Sequence, residues 1–169
     1  IFKLWSDYWL KHVDSDNDFK ALRVEDTDDV TSITKNLTLL GYVLSESSEH
    51  QQFGQYVLTT ADTLLERYIV NYYMKDIMQG GAWAEGSDYS PATQGHWIET
   101  FLINKEQRGI DYPTNYAKYA LNSLIHQTLA SHSGVYKYGS EERAEDYDVL
   151  EGDYRYELAL NLMSILEDE

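Results

Sequence analysis

The sequence predicts an all-α fold of antiparallel helical hairpins, and three observations carry that expectation. Apolar residues recur at steps of three and four along most of the chain. The chain has only two prolines, Pro91 and Pro113, and each is placed to open a helix, with Ser90 as an N-cap before Pro91. No segment alternates apolar and polar residues for long enough to read as a strand.

The first helix is expected over about residues 2–13 and the second over about 28–45, with Asp28 and Asp29 at its positive end. In the second, Val30, Ile33, Leu37, Leu40 and Leu44 share a face while Leu39 and Val43 add another, the pattern of an inner helix. A long third helix, about 49–78, aligns Ala61, Leu64, Leu65, Tyr68, Ile69 and Tyr72. The fourth is expected over about 90–105. The fifth, about 113–131, carries Ala117, Ala120, Leu121, Leu124, Ile125 and Leu129, and the last covers about 154–166. Two segments resist the pattern, residues 79–89 and 133–153, and the second is long for a loop inside a compact domain. No linker divides the chain, so a single helical domain over residues 1–169 is expected.

Composition narrows the function classes. A 169-residue chain that is 43% hydrophobic can bury a core and is not expected to be disordered. Its net charge of −16 repels nucleic-acid phosphates and anionic membranes. The same charge opposes a polyanionic ligand unless cations gather locally. Cysteine is absent, which excludes a disulfide frame and a thiolate nucleophile. No apolar run is long enough for a transmembrane helix. The chain opens on Ile1 with no visible signal peptide, so a processed or excised piece is expected. No P-loop, dinucleotide-binding glycine motif, nucleophile elbow or HExxH occurs.

The most informative stretch is Gly80-Gly81-Ala82-Trp83-Ala84-Glu85-Gly86-Ser87-Asp88-Tyr89, a glycine-rich turn between two helical segments. Glycines allow close approach of the backbone to a ligand, and Trp and Tyr offer flat faces suited to sugar rings. The run Gly81-x-Trp83-x-Glu85-Gly86-x-x-Tyr89 resembles the α/α-toroid polysaccharide lyases of the heparinase II/III and alginate lyase kind. The resemblance covers about residues 28–109 in architecture, with the motif itself only ten residues long. It implies an arc of an (α/α) toroid, a polysaccharide as partner, a secreted or periplasmic bacterial location, and Tyr89 as the proton-transfer residue. Toroids of that kind have more hairpins than fit here, so the remainder of a larger chain or a homo-oligomer is expected to complete the ring.

Proton abstraction beside a uronate carboxyl needs that carboxylate neutralised, a base, and an acid for the leaving oxygen. Tyrosine works as a base only with a cation or strong donor beside it, because its ordinary pKa is near 10. His96, His126 and Arg155 are the candidates, with His96 two turns into the helix that follows Tyr89. His126 belongs to a polar stripe with Asn115, Tyr119 and Asn122, which is either a cleft wall or a solvated face. Trp83 is a stacking platform or a plug that fixes the loop. Glu85 binds sugar hydroxyls or satisfies backbone N–H groups of the turn. Arg155, with Lys137 and Arg143, sits in an acidic run where salt bridging competes with sugar binding. A glycoside hydrolase would need a carboxylate pair instead, and a non-catalytic carbohydrate-binding relative or a helical interaction module would need neither. No organic cofactor is expected. Asp14, Asp16, Asp18 and Glu25 have the spacing of a calcium loop, but Phe19 stands where glycine makes the sharp turn, so an acidic helix connector competes with calcium.

Overall fold

Helices α1 (Phe2–Val13) and α2 (Asp28–Ser45) lead into α3 (Gln51–Leu64), which continues as a π-wound segment, Leu65–Ile77. They are followed by α4 (Gly86–Arg108), α5 (Asn115–Gln127) and α6 (Tyr154–Glu167). This computed structural model describes residues 1–13, 28–77, 80–81, 86–112, 115–127 and 154–167. Among the described residues no strand occurs, and the fold is all-α as the periodicity predicts. The expected loop over 133–153 lies outside them.

α2 and α3 form an antiparallel hairpin held at two close crossings. A Cβ on Gly41 would meet the Leu58 side chain at 2.6 Å, and one on Gly54 would meet the Ser45 backbone nitrogen at 2.4 Å. Between these crossings Val30, Ile33, Leu37 and Leu44 bury against Val57, Ala61 and Leu64. α4 and α5 meet through large side chains in a second core, where Trp97 packs on Tyr116 and Phe101 stacks on Tyr112 of the segment between the two helices. α6 adds Leu158, Leu162 and Ile165 to that second core.

The α2–α3 hairpin and the second core meet along α2 and α4, which run parallel: Lys35 pairs with Glu99 at 2.9 Å and Tyr42 bonds Asn104 at 2.8 Å. On α2 the face that carries Lys35 and Tyr42 also carries Thr31, Thr34 and Thr38, all buried. Thr34 and Thr38 donate their hydroxyls to the carbonyls of Val30 and Thr34, so they bury as small satisfied side chains.

The inner-helix expectation for α2 is therefore corrected. Leu39 and Val43 are 43% and 59% exposed, and the second buried face is the threonine face. Asn36 is exposed but the Thr38 hydroxyl of its sequon is buried in that contact.

The long third helix changes winding at Leu65. An i→i+5 ladder places like-facing residues four to five apart rather than three to four. Leu65 and Ile69 stay buried and Val70 and Met74 pack beside them, all on the α4–α6 core, while Tyr72 is turned out to solvent. The winding thus hands one rod from the first core to the second. α4 begins at Gly86, four residues before the expected cap, so Pro91 lies inside the helix and Ser90 is no N-cap. Proline lacks the N–H that would bond the carbonyl of Ser87, which that turn leaves to other donors. At the other end Gly109, at φ +64°, donates its N–H to the Lys105 carbonyl and closes the helix.

Candidate functional site

The glycine-rich turn is seated on α5. Gly81 has φ +79°, and a Cβ there would lie 2.1 Å from the carbonyl carbon and oxygen of Tyr119. Only glycine allows that approach. The Gly81 carbonyl accepts the Tyr116 hydroxyl at 2.9 Å, and Tyr116 also meets Gln94 Oε1 of α4 at 2.5 Å. One phenol proton cannot serve both oxygens. With the Gln94 amide turned so that its nitrogen faces the phenol, it donates to Tyr116 while Tyr116 donates to Gly81, and all three groups are satisfied. The turn, α4 and α5 are thereby tied at one point. Tyr116 and Gln94 escape sequence reasoning. The available signal was a tyrosine in the otherwise apolar stripe of Ala117 and Ala120, since a buried phenol requires a partner.

From that seat the polar stripe of α5 runs outward. Tyr119 is 50% exposed, and Asn122 and His126 are exposed as well. The stripe is solvent-facing and begins at the residue against which Gly81 is pressed. His96 lies on α4, two residues beyond Gln94, half-buried, with its carbonyl accepting the Thr100 hydroxyl at 2.8 Å. Because α4 starts at Gly86, positions 89 and 96 belong to one helix and share a face by register, about 10 Å apart along its axis. Trp83 and Glu85 lie outside the described residues, as do the side chains of Tyr89 and Arg155, whose backbones are helical. The calcium candidates Asp14, Asp16, Asp18 and Glu25 also lie outside them. Among the described residues no three carboxylates or histidines cluster as metal ligands.

A second polar cluster joins α2, α3 and α4 away from the turn. Asn104, fully buried, accepts from Tyr42 and from Arg108 at 2.7 Å, and donates to Tyr112 at 3.2 Å. Arg108 clasps Asp62 with two bonds of 2.6 and 2.7 Å. The Asp62 hydrogen bonds raise the Arg108 pKa above its ordinary value, so this cation stays charged and committed. Burial raises the phenol pKa values of Tyr42 and Tyr112, partly offset at Tyr42 by Arg108.

These two phenols set a pH limit. Above about pH 10 the unfolded chain releases their protons before the folded chain does, so folding stability falls as pH rises through that range. Thermal midpoints followed from about pH 8 to about pH 11 are expected to decline less steeply above pH 10 in a Tyr42→Phe/Tyr112→Phe double variant. An unchanged slope would show that other groups set the alkaline limit.

No family model, curated protein or solved structure matches this chain. Among the described residues no helix is long and apolar enough to cross a membrane.

Proposed function

We propose that this is a carbohydrate-active protein that binds an extended polysaccharide across the turn at Gly80-Gly81, the start of α4 and the exposed face of α5. The finer reading is cleavage of a uronic-acid-containing polymer by β-elimination. The observation that carries it is the seat of Gly81 on Tyr119. It sets Gly81 against Tyr119, from which Asn122 and His126 run outward along the exposed face of α5, and this supports a sugar chain lying along that face. The antiparallel α2–α3 hairpin, with α4 running parallel to α2, supports an arc of helical hairpins of the toroid kind.

In this reading Tyr89 takes the proton α to the uronate carboxyl. The electron pair of that C–H bond forms the new carbon–carbon double bond, the bond to the bridging oxygen breaks, and that oxygen gains a proton. His96, on the same face of α4 and about 10 Å away along the axis, is too far for direct exchange with Tyr89. It acts across the bound sugar as the acid that gives the leaving oxygen its proton.

The test is ultraviolet absorbance of the unsaturated product after mixing with alginate and heparan-type polymers. A rise is expected, and Tyr89→Phe is expected to lower its rate by about 100-fold or more. New reducing ends without that chromophore would mean hydrolysis. No cleavage and no binding of any uronate polymer by folded protein would end the carbohydrate reading.

A further inference from the structure

The apolar face that α2 and α4 leave uncovered forms a groove of its own. Leu39 and Val43 line one wall and Leu102 and Ile103 the other, with Glu46 and Glu106 on its rim. Positions 39 and 43 lie one turn apart on α2 and Glu46 follows its last residue, while 102 or 103 and 106 lie one turn apart on α4, so the groove follows the ends of the parallel helix pair. Buried hydrophobes elsewhere on α2 show that this exposure is not general: Leu37 and Leu44 are sealed against α3. A groove of this length and chemistry suits the apolar stripe of one helix.

Charge selects the occupant. Glu46 and Glu106 both lie near the C-terminal ends of α2 and α4, and because the helices run parallel, both negative dipole ends face the same end of the groove. Among the described residues no Lys or Arg lines it. Of the two cations in the last turn of α4, Lys105 lines the gap on the α6 side of the helix and Arg108 is clasped by Asp62. A second copy would set Glu46 and Glu106 against a surface of the same sign, on a chain whose net charge is −16. We propose that this groove docks an amphipathic helical segment of a partner protein, with Leu-type anchors between Leu39–Val43 and Leu102–Ile103 and lysine or arginine residues set against Glu46 and Glu106. This surface is independent of the carbohydrate reading, since neither the turn nor α5 contributes to it.

The probes are two fluorescent peptides with the same leucine stripe, one flanked by lysines and one by glutamates, measured by anisotropy against the whole chain. The lysine-flanked peptide is expected to bind, and more weakly at high salt. Val43→Asp is expected to weaken it by roughly tenfold or more by removing the apolar seat. That variant adds negative charge, so diffuse attraction to an acidic protein would strengthen binding instead, and the sign of the change separates the two. Glu46→Lys/Glu106→Lys is expected to reverse the preference between peptides. Both sites are on the surface, so unchanged circular dichroism confirms folding in each variant. Equal binding of the two peptides, no binding, or no loss with Val43→Asp would overturn the proposal. So would self-association in sedimentation that Val43→Asp abolishes, because a second copy would then be the occupant.

Discussion

Gly81→Ala is expected to destabilise the protein by about 2–5 kcal/mol. Two terms add at this position. The residue holds φ +79°, and its new Cβ would meet the backbone of Tyr119 and Ala120 at 2.1–2.5 Å. Backbone atoms of α5 cannot swing aside as a side-chain tip can, so the turn must lift off and lose the Tyr116 hydrogen bond. Gly80→Ala is the control, because a Cβ there meets nothing within 4 Å. It is expected to change stability by less than about 0.5 kcal/mol. Denaturant melts of the two variants make the comparison. Equal stabilities would mean that the turn is not seated on α5, and the carbohydrate reading would lose the observation that carries it.

Trp97→Ala is expected to cost about 3–5 kcal/mol. Among the described residues Trp97 is the largest fully buried side chain, 1% exposed, edge-on to Phe101 at 5.1 Å and tilted against Tyr116 at 4.9 Å. Removing it opens a cavity beside an existing gap of about 30 Å³ lined by Phe101, Tyr112, Leu162 and Ile165. Its loss also frees Tyr116, so the turn should loosen along with the core. Trp97→Phe is different. The indole Nε1 is buried with no hydrogen-bond partner among the described residues, so phenylalanine keeps a ring and removes an uncompensated donor. Its expected cost is below about 1.5 kcal/mol. If Trp97→Phe is as damaging as Trp97→Ala, the indole nitrogen has a partner that matters.

These variants bear on function because core and turn share residues. Tyr116 packs on Trp97 through its ring and holds Gly81 through its hydroxyl. A change deep in the α4–α5 core therefore reaches the turn through one side chain. A Tyr116→Phe protein would keep the ring packing and lose the tie. It separates turn placement from core stability more cleanly than either larger substitution.

The sequence by itself determined the helical class and the α2–α3 hairpin, and it marked Gly80-Gly81 as a turn without showing that Gly86–Tyr89 belong to α4. Each is written in local terms: the steps of three and four that align Val30, Ile33 and Leu37, or the flexibility of Gly80-Gly81. Tertiary structure alone decided which of two plausible faces of α2 is covered. Leu39 and Val43 have the greater hydrophobicity, yet Thr31, Thr34 and Thr38 are the buried set, because the small, internally bonded hydroxyls let α4 approach. It also decided the early start of α4, which fixes the phase of Tyr89 and His96, and the π winding that turns Tyr72 outward. The ties between Gly81 and Tyr116, and between Asp62 and Arg108, join residues 35 and 46 positions apart. Periodicity registers how a residue faces its own helix, whereas such contacts depend on where a distant helix comes to rest.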